Sequence, residues 1–295
     1  MLPVMRRLAD ALERRVNRRR DDAFVLQASN KVGQQLLLLQ YQELLRRGAP
    51  LPSFDQVEFR AFSQNGEDGI LLYLFALLGT TDKRCVELGC GDGIECNTAN
   101  LILNHGWTGL LVDGRGQRVR KGRRFYARCR DTSTWPPDLV QAWVTAENVG
   151  ALLVERGLSG EIDLLSLDLD GVDYWIWKAI DGVRPRVVVL EYNNLLGPER
   201  SVTVPYSPDF RAPVEGGQIN YFGASLRAYC RLASQKGYRL VGCERYGFNA
   251  FFVRDDVGAA FLPAVPLESC FGHPYTRHAM SVRSRSILGR PWVEV

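Results

Sequence analysis

The stretch Cys85-Val-Glu-Leu-Gly-Cys-Gly-Asp-Gly93 runs from an apolar strand into a glycine-rich turn, and Asn97-Thr-Ala-Asn-Leu-Ile-Leu103 then opens a helix. Strand, glycine turn and helix in this order make the first half of a βαβ unit, whose ligand sits beyond the carboxyl end of the strand. Gly89, Gly91 and Gly93 let a ligand approach bare backbone. The carboxylates of Glu87 and Asp92 set the charge of that ligand. They would repel a pyrophosphate, and the GxGxG spacing differs from the GxGxxG of a dinucleotide site. A cationic ligand fits better than a phosphorylated one.

One βαβ step further on, Gly109-Leu-Leu-Val-Asp-Gly114 places Asp113 at the end of the next strand, where a carboxylate can accept hydrogen bonds from both hydroxyls of a ribose. Asp131 reads as closing a third strand near the expected adenine. A nucleoside with a positive charge points to S-adenosylmethionine (SAM) rather than NAD, bound through Glu87, Gly89, Gly91, Asp113 and Asp131. The structural alternative is a tight glycine turn with Asp113 capping a helix.

Outward from this unit, strand and helix alternate, the pattern of a parallel sheet covered by helices. Strands are expected near residues 84–88, 109–113, 125–130, 162–168, 186–191, 239–244 and 248–254, with helices near 68–78, 97–105, 137–156, 174–180 and 223–236. Only Arg245-Tyr-Gly247 separates the last two strands, which suits a hairpin better than a crossover. The expected fold class is α/β: a Rossmann-like, seven-stranded, mostly parallel sheet with an antiparallel terminal hairpin and a helical N-terminal extension. Gly48-Ala-Pro-Leu-Pro-Ser53 interrupts the helical pattern. The expected division is 1–55, a helical extension; 56–255, the catalytic domain; and 256–295, a tail that serves as a lid or a packing segment.

Composition narrows the function classes. No apolar run approaches the roughly 20 residues of a membrane span. The first 22 residues carry arginines throughout, without the apolar core and small-residue cleavage site of a secretory signal, so a cytoplasmic location is expected. Seven cysteines without CxxC pairs suit reduced thiols and argue against zinc. A net charge of +4 is too mild to require nucleic acid. The dense basic run from Arg115 to Arg130 reads as a solvated helix face, with a landing surface for an anionic acceptor as the alternative. The basic first helix, around Leu8, Leu12 and Val16, reads as a solvated or homo-oligomer-packing face.

Four blocks in order, Phe62-Ser-Gln-Asn-Gly-Glu-Asp-Gly-Ile70, Val86-Glu-Leu-Gly-Cys-Gly-Asp-Gly93, Asp163-Leu-Leu-Ser-Leu-Asp-Leu-Asp-Gly-Val-Asp173 and Val187-Val-Val-Leu-Glu-Tyr-Asn193, resemble the FkbM-type methyltransferases over roughly residues 60 to 255. The resemblance implies methyl transfer from SAM, often to a hydroxyl of a sugar, polysaccharide or secondary metabolite. The chain departs from that group at Asp170, where a glutamate is usual. In this reading the polar turn at Gln64 and Glu67 folds over the methionine end of SAM.

The carboxyl ends of the fourth and fifth strands supply the chemistry. Asp168, Asp170 and Glu191 are the candidate catalytic residues, as base or through Mg²⁺, which lowers the pKa of a hydroxyl. Asp168, Glu191 and Asn193 are the candidate metal ligands. The long loop from Leu196 to Gly223 is the expected acceptor site, with Tyr192, Tyr206, Asn220 and Tyr221 contacting a small-molecule or carbohydrate acceptor. His273 and His278 act only if the tail folds back as a lid. The rival functions are a SAM-binding protein without turnover and a nucleic-acid methyltransferase.

Overall fold

The computed structural model describes residues 31–295. The basic first helix expected around Leu8 to Val16 lies outside the described residues. The chain divides after Leu51 into two units. The first contributes helix α1, residues 31–46, where Glu43 pairs with Arg46 and Arg47 one turn further on (2.7 and 2.5 Å).

The second unit, Pro52–Val295, holds a seven-stranded sheet. Strands β1 (Arg84–Leu88), β2 (Thr108–Asp113), β3 (Asp138–Gln141), β4 (Gly160–Leu167) and β5 (Val183–Glu191) are parallel. Their cores are continuous apolar runs such as Leu110-Leu-Val112 and Val187-Val-Val-Leu190, buried because helices cover both faces of the sheet. Short strands β6 (Val202–Thr203), β7 (Val214–Glu215) and β8 (Gln218–Ile219) lie outside it. β9 (Tyr238–Cys243) and β10 (Asn249–Arg254) close it as the expected antiparallel pair. The spatial order is β3-β2-β1-β4-β5-β10-β9. It reverses direction between β1 and β4, so the ligand crevice belongs beyond their carboxyl ends.

Helices α2 (Phe54–Val57), α3 (Glu67–Leu78), α4 (Ala99–His105), α5 (Gly116–Tyr126), α6 (Val149–Glu155), α7 (Asp173–Ala179), α8 (Leu226–Lys236) and α9 (Pro274–Arg283) complete the unit. Among the described residues no helix is long and apolar enough to cross a membrane. All seven cysteines are free thiols.

The third strand departs from expectation. Phe125 and Tyr126 end α5 instead of starting a strand: Val119, Gly122 and Tyr126 are buried at helical spacing, and the Tyr126 hydroxyl donates to the Gly93 carbonyl. β3 falls at Asp138–Gln141, directly after Pro136-Pro137, inside the stretch expected to be helical. Proline lacks the amide proton of a helix or ladder, and here the pair leads into a strand. The helix that follows shrinks to α6.

Asp163, part of the quoted third block, sits in β4 away from the ligand end. It is fully buried and accepts from the amides of Thr81, Asp82 and Lys83 and from Arg186 Nη1 at 2.9 Å. This network fixes the entry of β1 and has a structural role. The tail packs within the same unit: β11 (Val293–Glu294) pairs antiparallel with β6.

Candidate active site

A cavity of about 760 Å³ opens beyond the carboxyl ends of β1, β2, β4 and β5. Its floor is the glycine turn. Gly89 has φ +94°, and a Cβ there would stand 1.7 Å from the Asp168 carbonyl oxygen, so the β1 turn and the end of β4 meet main chain to main chain. Gly91 (φ +62°) is different: the nearest atom to its missing Cβ is Arg118 Nη1 at 3.8 Å, which leaves backbone bare toward the cavity. Glu87, 2% exposed, accepts from the amides of Asn97 (3.0 Å) and Thr98 (2.9 Å) and from the Thr98 hydroxyl. It therefore holds the turn against the start of α4 while lining the cavity.

Asp113 ends β2 and lines the cavity; its Oδ1 accepts from the Arg115 amide at 2.7 Å, and Arg118 Nη1 stands 3.6 Å from Oδ2. Asp131 does not join it. With β3 displaced, Asp131 falls in the turn after α5, outside the cavity wall. The wall beyond β3 is Ala142, Trp143 and Val144. Trp143 Nε1 donates to the Pro208 carbonyl at 2.6 Å, and Arg211 Cζ lies 4.3 Å from the Trp143 ring centroid. These residues escaped the sequence reading because the strand that delivers Trp143 was misplaced.

The long loop does roof the cavity, through Pro208, Phe210, Arg211, Ala212, Val214 and Ile219. Tyr206, Asn220 and Tyr221, expected as acceptor contacts, are not on the wall. The Tyr206 hydroxyl bonds Glu147 and the Ala146 amide, Asn220 bonds Arg283 and Ser286, and the Tyr221 hydroxyl donates to the Pro291 carbonyl. Tyr192 also faces away, since its side chain alternates with that of Glu191 along the chain, and its hydroxyl donates to Cys270 O at 3.1 Å. Their polar groups fix the loop and the tail.

Asp168, Asp170 and Glu191 come together, with carboxylate oxygens within 4.8 Å of one another. Asn193 does not complete the group. Its Nδ2 donates to the carbonyls of Asn220 (2.9 Å) and Phe222 (3.1 Å), and its Oδ1 accepts from the Leu195 amide, capping a 3₁₀ turn. Burial, first, and the neighbouring carboxylates push both Asp168 and Glu191 above the usual carboxylate range. Asp170, at φ +52°, projects from the next turn, while Asp173 stabilises that turn by accepting from the amides of Leu169 and Gly171.

Gln64 lines the cavity, whereas Glu67 is fully buried behind it. Glu67 accepts from the Asn65 amide (2.8 Å) and from Asn249 Nδ2 (2.9 Å), and Asn249 is the group on the wall. Asn249 was also missed by the sequence reading. No histidine lines the cavity: His105 ends α4, His273 caps α9 and His278 lies on its surface.

Three other buried acids give the protein a pH signature. Burial pushes Asp68 and Asp173 up to about 6 and Glu244 up to about 7. Unfolded, such carboxyls ionise near 4. Between those values the folded state holds more protons, so this stability is complete below about pH 4 and is lost as the pH rises through 6 to 7. Thermal melts in EDTA should show the midpoint falling by about 5 °C or more from pH 5 to pH 8. A flat or rising profile would contradict the assignment.

No family model and no curated protein matches the chain. Among solved structures, the chain is similar to the magnesium protoporphyrin IX methyltransferase ChlM of Synechocystis PCC 6803 with bound SAM, at 13% identity over 64% of this chain and 77% of that one, TM-score 0.37. It is also similar to the methyltransferase domain of bacterial CtHen1 (16% identity, 63% and 96% coverage, TM-score 0.39) and to the glycopeptide N-methyltransferase MtfA (11% identity, 57% and 86% coverage, TM-score 0.37). The sheet, with its order β3-β2-β1-β4-β5-β10-β9 and antiparallel closing pair, is Rossmann-like.

Proposed function

We propose that the chain is a SAM-dependent methyltransferase acting on a hydroxyl of a sugar, glycan or secondary-metabolite acceptor, as its FkbM-type resemblance implies. The observation that carries this reading is one cavity joining a bare glycine turn and a strand-end aspartate to the gathered carboxylates of Asp168, Asp170 and Glu191. SAM supplies an electrophilic methyl group when bound.

The protein's own residues do the rest. Gly89 and Gly91 admit the nucleoside to the main chain, and Asp113 accepts from its ribose hydroxyls. Trp143 offers an aromatic face for the base, 44% exposed and walled by Arg211. Gln64 on the cavity wall faces the amino-acid end. At the far end the ionised member of the Asp168–Glu191 pair takes the hydroxyl proton as the acceptor oxygen attacks. The burial that raises the pair also makes it a stronger base than a surface carboxylate.

Calorimetry with SAM and S-adenosylhomocysteine in EDTA tests the cofactor half, with both expected to bind at micromolar concentrations. Transfer of a labelled methyl group onto an extract of the producing cell tests the reaction. Absence of binding at millimolar concentration would remove the proposal.

A further inference from the structure

The cavity wall holds two buried oxygens without a hydrogen-bond partner, Glu191 Oε2 and Asn249 Oδ1. We infer that Asp168, Asp170, Glu191 and the side-chain oxygen of Asn249 form a site for one hard divalent cation of the Mg²⁺ or Mn²⁺ class. Its role in activating an acceptor hydroxyl rests on the methyltransferase reading, but the site itself does not.

Three observations converge. The carboxylate oxygens of Asp168, Asp170 and Glu191 lie within 4.8 Å of one another. Among the described residues no lysine or arginine forms an ion pair with any of them; Arg115 and Arg118 only oppose Asp170 from the α5 side. Like charges gathered this closely call for a cation.

The second observation is a neutral group. Asn249 is 6% exposed and lines the cavity, and its Nδ2 is engaged by Glu67 at 2.9 Å. That bond fixes the amide orientation, so Oδ1 is the atom left over, buried without a hydrogen-bond partner. Asn249 is the cross-strand partner of Glu191 in the β5–β10 ladder, which puts the two side chains on the same face, with Cβ atoms roughly 5 Å apart. Glu191 Oε2 is likewise buried and unpartnered. A proton shared between Asp168 and Glu191 satisfies those two residues but offers nothing to Asn249 Oδ1, whereas a cation can take oxygens from all of them.

The third observation is donor type. Three carboxylates and one amide carbonyl form an oxygen-only set, without the imidazole or thiolate that selects zinc or copper. Water would complete the shell of a small hard ion. In the methyltransferase reading this places Lewis-acid help beside the acceptor hydroxyl.

The test uses the full chain, stripped with EDTA and free of SAM. Mn²⁺ is titrated in, and the loss of the free-ion signal is followed by electron paramagnetic resonance, with Mg²⁺ as competitor. One Mn²⁺ per chain is expected, displaced by Mg²⁺. Asp170→Asn, on the exposed edge of the group, and Asn249→Leu should each weaken binding at least tenfold. If Asn249→Leu does not fold, Asn249→Asp takes its place and should bind Mn²⁺ at least as tightly as the unaltered chain. No binding at millimolar Mn²⁺, or binding unchanged in both Asp170→Asn and Asn249→Leu, overturns the site; where Asn249→Asp stands in, unchanged binding in Asp170→Asn or weakened binding in Asn249→Asp does so. SAM binding in EDTA is scored separately, so loss of the cation site leaves the cofactor reading standing, and a chain that binds Mn²⁺ but not SAM retains the site while losing the methyltransferase.

Discussion

Asp168→Asn should leave SAM affinity within about twofold and lower the rate of methyl transfer by about 10²- to 10⁴-fold, the range that a positioned acid or base supplies. The amide keeps the shape of the side chain but cannot take a proton from the acceptor, and it removes one charge from the group shared with Asp170 and Glu191. Asp113→Ala should do the reverse. A ribose held by two hydrogen bonds to a carboxylate loses about 3 kcal/mol with that carboxylate, or roughly a hundredfold in affinity. Turnover at saturating SAM should then recover most of its rate. Calorimetry paired with single-turnover kinetics reads both effects, and an equal loss of SAM affinity in the two variants would defeat this division of roles.

The second large effect belongs to Gly89→Ala. A methyl group there would meet the Asp168 carbonyl at 1.7 Å, and both partners are main chain, so no rotamer can relieve the clash. The ends of β1 and β4 must separate, and together with the positive φ this should cost about 3 kcal/mol or more, read as an early urea midpoint. Gly91→Ala is the control. Its φ is also positive, costing about 1–2 kcal/mol, but its Cβ enters open cavity. That variant should stay folded while SAM binding falls. Equal stability of Gly89→Ala and the unaltered chain would show that the two strand ends are not in contact.

Much of this was visible in the chain before folding. β1, β2, β4 and β5 announce themselves as buried apolar runs ending in Glu87, Asp113, Asp168 and Glu191, because a strand covered on both faces needs such a run. β3 offered only Leu139 and Val140 between polar residues, while Phe125-Tyr126 mimicked a strand at the end of a basic helix. Expecting the strand there put Asp131 on the wall, where it does not stand, and left out Trp143, which does. Asn249 was illegible for another reason: its neighbours Glu191 and Glu67 are brought to it by sheet register and by the polar turn before α3, both long-range. Asn193 misled because local capping competes for asparagine side chains, and a 3₁₀ turn claimed it.

The segment that closes the top of the cavity belongs to the connection between β5 and α8, not to the sheet. The hydrogen bond that Trp143 Nε1 donates to the Pro208 carbonyl ties that cover to the cavity wall beyond β3. In the proposed methyltransferase, admission of an acceptor and exchange of spent cofactor would pass this one cover, which an indole N–H holds to the wall. On that reading, lengthening or rewriting residues 207–219 should retune which molecules enter while the glycine turn and Asp113 below stay unchanged.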